Sequence, residues 1–127
     1  MNKLKTISDE RGVLMVIDHS AIPFEVKRTF FINSVPDGHT RGNHAHKECH
    51  QFFICLSRIV HLSLHCKNPS FTDLPEVVSL TQGESIYIPP LTWVDLVFTE
   101  GASVCVVCSH EYDPNDYISD YAKFELL

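Results

Sequence analysis

Between Arg41 and Gln51 the chain reads Arg-Gly-Asn-His-Ala-His-Lys-Glu-Cys-His-Gln. His44 and His46 are two residues apart, and on an extended strand that spacing turns both imidazoles to one face. Imidazole exchanges protons near neutral pH and also ligates transition metals. The pair is therefore either an acid–base couple or half of a metal site. Arg41, three residues before His44, adds a fixed cation of the kind that holds a phosphate or a carboxylate. Arg28, Lys27 and Arg11 are further candidate anion partners. Arginine ranks above lysine because its guanidinium offers a bidentate fork. Lys27 and Arg28 are consecutive, so on a strand only one of them can point inward.

These residues need a scaffold of strands. Val, Ile, Phe and Tyr are concentrated between closely spaced turn residues, which predicts short strands over 12–17, 26–33, 40–46, 51–57, 59–66, 76–81, 84–89, 93–99 and 102–109. Alternation is cleanest in Val60-His61-Leu62-Ser63-Leu64-His65-Cys66, which sets His61 and His65 opposite the apolar face, toward solvent. Pro89-Pro90 should end a strand, because proline donates nothing to a ladder. Asp113 and Pro114 have the chemistry of a helix start, so a short helix or turn is predicted from Asn115 to Phe124. So many short antiparallel strands predict an all-β chain: one small barrel or sandwich spanning residues 1–127, with a short helical segment near its C-terminus.

Composition narrows the function. With 127 residues there is room for one core. A net charge of −6 argues against a general affinity for nucleic acid or for anionic membranes. No apolar run approaches the ~20 residues of a membrane span, and Met1 to Thr6 do not read as a secretory leader. The five cysteines are odd in number and lie mostly in apolar runs, which fits reduced thiols in the cytoplasm. Cys105 and Cys108 have CxxC spacing, but in a strand positions i and i+3 face opposite sides, which weighs against a zinc or redox motif.

Metal-binding cupins resemble this arrangement. In their pattern a His-x-His strand is followed four residues later by Glu, and a second strand supplies a further His after Pro-x-Gly. Here His50 stands where that Glu would be, and the place of the last ligand is Val94, which has no donor atom. Three imidazoles can hold zinc, so His44, His46 and His50 keep a metal reading open.

A fuller resemblance favours acid–base chemistry. The chain resembles the cupin-type dTDP-4-keto-6-deoxyglucose 3,4-ketoisomerases and the related WxcM-like domains, roughly from Asp9 to Phe124. The matching pieces are Asp9-Glu10-Arg11-Gly12, Ile22-Pro23-Phe24-Glu25-Val26-Lys27-Arg28, Arg41 to Lys47, Cys49-His50-Gln51-Phe52, Tyr87-Ile88-Pro89-Pro90 with Trp93, Ser109 to Asp113, and Asp116-Tyr117-Ile118-Ser119-Asp120-Tyr121. The resemblance implies a jelly-roll cupin without metal or cofactor. It would act on a dTDP-linked ketosugar, moving the carbonyl from C4 to C3 through an enediol. Histidine suits that proton transfer because its ordinary pKa of ~6.5 is near the working pH. His46 is expected to be the base and His44 its partner. Arg41, Arg28, Lys27 and Arg11 would face the substrate charge, Gln51 would hydrogen-bond the sugar, and Trp93 would stack on sugar or base. A homodimer is expected, since small barrels pair through sheet edges.

The chain departs from the family pattern where Phe30 and Phe31 replace a tyrosine, where Val94 replaces a histidine, and at the turn Ser57-Arg58-Ile59, where glycine is usual. A nucleotide-sugar-binding cupin without catalysis and a metal-dependent cupin enzyme are the alternatives.

Overall fold

The computed structural model describes residues 2–127. Two five-stranded antiparallel sheets form a sandwich. The first has the order β1 (Asn2–Lys3), β9 (Glu84–Ile88), β6 (Gln51–Ser57), β11 (Ser103–Cys108), β4 (Arg28–Ile32). The second has the order β12 (Tyr117–Ile118), β5 (Thr40–His46), β10 (Thr92–Phe98), β7 (Ile59–Cys66), β8 (Val77–Thr81). A separate hairpin joins β2 (Lys5–Asp9) to β3 (Gly12–Val16). The one α-helix among the described residues is α1 (Tyr121–Glu125).

Alternation along the strands builds the core. Val60, Leu62 and Leu64 of β7 and Val94, Leu96 and Phe98 of β10 meet Phe53 and Cys55 of β6 and Val104 and Val106 of β11. Each such side chain, fully buried, stabilises the fold by roughly 1.5–3 kcal/mol relative to exposure. The intervening residues face outward and need their own cover. On the first sheet Phe52, Ile54, Cys105 and Val107 lie under Ile22, Phe24 and Val26, from the segment that leads into β4. On the second, Ala45 and Trp93 lie under Phe124 of α1. The expected outward course of His61 and His65 holds, with His61 bonded to Ser79 and His65 to Tyr121.

Two expectations need correction. Residues 5–9 form a strand that the polar run Lys5-Thr6-Ile7-Ser8-Asp9 did not suggest, because its pairing is local to β3 and neither face is core. The short helix or turn expected from Asn115 to Phe124 is instead divided into three pieces. A single 3-10 turn covers Pro114–Asp116, Tyr117 and Ile118 then pair in extended form with His46 and Ala45, and α1 begins only after a second cap at Asp120. The ladder to β5 and the burial of Phe124 outweigh the weak helical preference of this stretch.

An irregularity in β5 decides which of its side chains share the inward face. Val94 of β10 sits opposite His44 and Leu96 opposite Arg41, with a register shift between them. Three residues of β5 therefore span two of β10, a β-bulge. Gly42 and Asn43 carry it with φ of 87° and 60°. Without the extra residue Arg41 would face away from His44. A Cβ at Gly42 would stand 2.7 Å from the Val94 carbonyl oxygen, in a backbone region that disfavours side chains. Gly42→Ala is expected to lower folding stability by about 1–2 kcal/mol or more, read as a drop in the urea midpoint. An unchanged midpoint would show that the bulge does not depend on glycine.

Candidate active site

Arg28, at the start of β4, and Gln51, at the start of β6, both pair with Cys108, at the end of β11. Gln51 also pairs with the core residue Ile88 of β9, so Arg28, Gln51 and Cys108 point between the sheets. At the same end of the sandwich β5 finishes with His44 and His46, on the inward face with Val94. The two sheets thus oppose a guanidinium and an amide to a pair of imidazoles.

The imidazoles are held in defined tautomers. His44 Nδ1 lies 2.9 Å from the Gly42 carbonyl oxygen, which can only accept, so Nδ1 carries the proton. His46 Nδ1 lies 2.9 Å from Asp116 Oδ2, so it donates likewise. Asp116 is itself fixed, accepting the backbone N–H of Glu48 at 2.7 Å and of Cys49 at 3.3 Å. Both Nε2 atoms are then left with lone pairs. That of His46 is buried and has no protein partner. The rings stand 5.1 Å apart, edge to face. The ring of Tyr117 packs on both, at 4.8 Å from His44 and 4.4 Å from His46.

Burial sets the charge state. Desolvation pushes the His46 pKa down to about 4, against the opposing pull of Asp116, with neighbouring His44 and Arg28 pushing the same way as burial. His44 is lowered too, chiefly by burial. At neutral pH both are free bases. Arg28 is half-buried, stacks over Phe30 and Tyr112, donates from Nη2 to Cys108 Sγ at 3.6 Å, and leaves Nε buried without a partner. No carboxylate pairs with it among the described residues, so the pocket presents an uncompensated cation to an incoming anion or oxyanion.

The other candidates are dispersed. Arg41 reaches the histidine face through the bulge but stays exposed, at the mouth. Gln51 is buried, its amide 3.7 Å from Cys108 Sγ. Lys27 precedes β4, is exposed and has the opposite parity to Arg28, so it is not part of the cluster. Arg11 lies in the β2–β3 hairpin, exposed and 2.7 Å from Asp9. Trp93 lies on the outer face of β10, packed against Tyr121 and Phe124, so it cannot stack on a ligand beside the histidines of its own chain. A groove of about 950 Å³ runs along that outer face past His65, Asp95 and Tyr121, and neither His44 nor His46 lines it.

The cupin metal set is not assembled. His50 Nδ1 pairs with the Tyr87 hydroxyl at 2.6 Å, and Val94 is packed in the core. Those residues do not fit a metal.

The whole chain, residues 1–127, matches the sequence profile of the family described as FdtA: WxcM-like, C-terminal. The chain belongs to this family. It is 31% identical over 123 residues to the TDP-4-oxo-6-deoxy-alpha-D-glucose-3,4-oxoisomerase of Aneurinibacillus thermoaerophilus, covering 95% of this chain and 86% of that one. Among solved structures it is similar to the 3,4-ketoisomerase QdtA from Thermoanaerobacterium thermosaccharolyticum, in a histidine-to-asparagine mutant bound to TDP-4-keto-6-deoxyglucose. The identity is 36%, the TM-score 0.82, and the coverage 96% of this chain and 87% of that one. The WlaRB TDP-quinovose 3,4-ketoisomerase of Campylobacter jejuni matches at 32% identity and TM-score 0.79, covering 96% and 92%.

Within this FdtA-family chain, sequence reasoning missed two site residues, Asp116 and Tyr117. Both stand in the Asp116-Tyr117-Ile118-Ser119-Asp120-Tyr121 stretch that carries the resemblance. The expectation of a helix there hid that Tyr117 pairs directly opposite His46.

With His46 as a base, its depressed pKa would have a kinetic signature. A base whose pKa lies below the ordinary imidazole value stays unprotonated to lower pH, so activity depending on it is lost only as pH falls through that lowered value. The acid limb of kcat/KM is expected below pH ~6. An acid limb at or above ~6.5 would place the base elsewhere.

Proposed function

We propose that this protein is a 3,4-ketoisomerase that converts dTDP-4-keto-6-deoxyglucose to the 3-keto-6-deoxyhexose, with His46 as general base. The reading is carried by the buried Nε2 of His46, which has no protein partner and whose opposite nitrogen is fixed on Asp116. In a 4-ketosugar the C3 hydrogen is acidified by the neighbouring carbonyl. His46 Nε2 takes that proton, and the electron pair of the C–H bond forms the C3–C4 double bond while the carbonyl electrons move to O4. The imidazolium then returns its proton to C4. The O3 hydroxyl proton must pass to O4 for the new carbonyl to form at C3, and His44 Nε2 is suited to relay it.

The electrostatics agree with this sequence. Imidazolium at His46 is costly in the empty pocket, as its low pKa records. During reaction that cost is offset by the Asp116 carboxylate and by the charge growing on O4. The Arg28 guanidinium, whose Nε has no partner, is suited to stabilise the same oxyanion. The Tyr117 hydroxyl, within reach of Arg28, stands beside the histidines where Phe30 offers no hydroxyl. Arg41 at the mouth is suited to the diphosphate. None of these steps requires a metal.

We further propose that the protein is cytoplasmic and a homodimer. All five cysteines are free thiols, and no helix among the described residues is long and apolar enough to cross a membrane. The β2–β3 hairpin exposes Ile7, Val13 and Leu14, and edge strand β8 exposes Val77. Apolar surface at sheet edges is what a second copy would cover. Light scattering is expected to give twice the chain mass, and a monomer would refute the dimer.

Incubation with dTDP-4-keto-6-deoxyglucose in D₂O, followed by NMR, tests the activity. The wild type should form the 3-keto product, with deuterium at C4 to the extent that the His46 imidazolium exchanges with solvent before it protonates that carbon. His46→Asn should lose ~10²–10⁴ in turnover with substrate affinity largely kept, whereas Arg41→Ala should mainly weaken binding. Binding without any isomerisation by the wild type would leave a nucleotide-sugar-binding cupin. Near-normal turnover in His46→Asn would remove His46 as the base.

A further inference from the structure

Of the buried thiols that the mechanism leaves unused, Cys49 lies nearest the Asp116 carboxylate. Cys49 follows β5 by three residues and is 2% exposed. Its backbone N–H donates to Asp116 Oδ2, the same oxygen that accepts from His46 Nδ1. A thiol, a carboxylate and an imidazole are thereby gathered around one point. One donor atom from each of His46, Cys49 and Asp116 lies within 4.8 Å of the others.

We propose that His46, Cys49 and Asp116 form an inhibitory site for a thiophilic divalent cation of the Zn²⁺ class. This site is distinct from the cupin set, sharing only His46 with it and taking its other donors from the β5–β6 turn and the C-terminal segment. Sulfur, nitrogen and carboxylate oxygen are the donors zinc prefers, and three protein ligands leave a fourth position for water. Charge balances: a thiolate and a carboxylate around a neutral imidazole match a dication.

Binding consumes the catalytic tautomer. The cation takes the Cys49 thiolate, whose proton goes to solvent, and takes His46 Nδ1, whose proton moves to Nε2. With Nε2 protonated and Nδ1 ligated, His46 cannot accept the substrate proton, and Asp116 can no longer orient it. Removing the cation restores the original hydrogen bond.

The inhibition arm rests on the ketoisomerase reading; the binding arm does not. Co²⁺, added to the purified chain in a non-chelating buffer, should give thiolate-to-metal charge-transfer absorption with one ion per chain. Zn²⁺ should displace it. Cys49→Ser should lose the absorption, and Cys66→Ser, which alters a thiol elsewhere on β7, should keep it. In the unaltered chain Zn²⁺ should protect Cys49 from iodoacetamide, read by peptide mass spectrometry, which avoids any folding defect of the variant. Zn²⁺ should also suppress turnover reversibly, with chelator restoring it. Cys49→Ser should raise the half-inhibiting concentration about tenfold or more. No charge-transfer band, no protection of Cys49, or equal inhibition of Cys49→Ser and wild type would overturn the site. Ligation at Cys49 in a chain that never isomerises the ketosugar would instead uphold the site and defeat the catalytic reading.

Discussion

The hydrogen bond from His46 Nδ1 to Asp116 is the contact on which the proposed chemistry depends. A histidine buried among apolar and cationic neighbours could adopt either tautomer, and only one turns a lone pair toward the pocket. The carboxylate chooses it. Asp116 in turn is useful only because the β5–β6 turn donates two backbone N–H groups to it, at Glu48 and Cys49. One side chain therefore ties the end of the histidine strand to the C-terminal segment. Tyr117, its neighbour in sequence, closes the same face by packing on both imidazoles.

The rest of the fold serves this contact by controlling parity. A regular β5 would place Arg41 and His44 on opposite faces. The bulge at Gly42 and Asn43 brings them to one face, with Arg41 opposite Leu96 and His44 opposite Val94. The same carbonyl that Gly42 presents there fixes the tautomer of His44. On the facing sheet, Arg28, Cys108 and Gln51 lie in cross-strand register, so their side chains converge without any special loop. A guanidinium with a buried, unpartnered Nε is costly in a resting protein, and a transient oxyanion is what would repay it.

Much of this was legible in the residues. The period-2 runs from Thr40 to Cys108 located the central strands of both sheets, and His44-x-His46 marked the chemical face. Strand parity set Lys27 and Arg28 on opposite sides, and the ladder shows that Arg28 is the inward member. What sequence could not supply was long-range pairing. Nothing local to Asp116 or Tyr117 says that they meet His46, seventy positions away; a capping signal at Asp113 pointed to helix instead. An indole such as Trp93 suits a ligand platform, and the packing partner that decides otherwise, Phe124, lies in the last helix. The bulge escaped notice because asparagine as well as glycine occupies positive φ there.

Catalysis by this route requires that His46 be neutral at pH ~7 and protonated at Nδ1. Long-range ¹H–¹⁵N NMR of the imidazoles in uniformly ¹⁵N-labelled protein, with His46 assigned through His46→Asn, reads this directly. The expected result is a pyrrole-type Nδ1 and a pyridine-type Nε2 for His46, with the pattern reversed or averaged in Asp116→Asn. A His46 that is protonated at Nε2, or fully cationic at neutral pH, would contradict it.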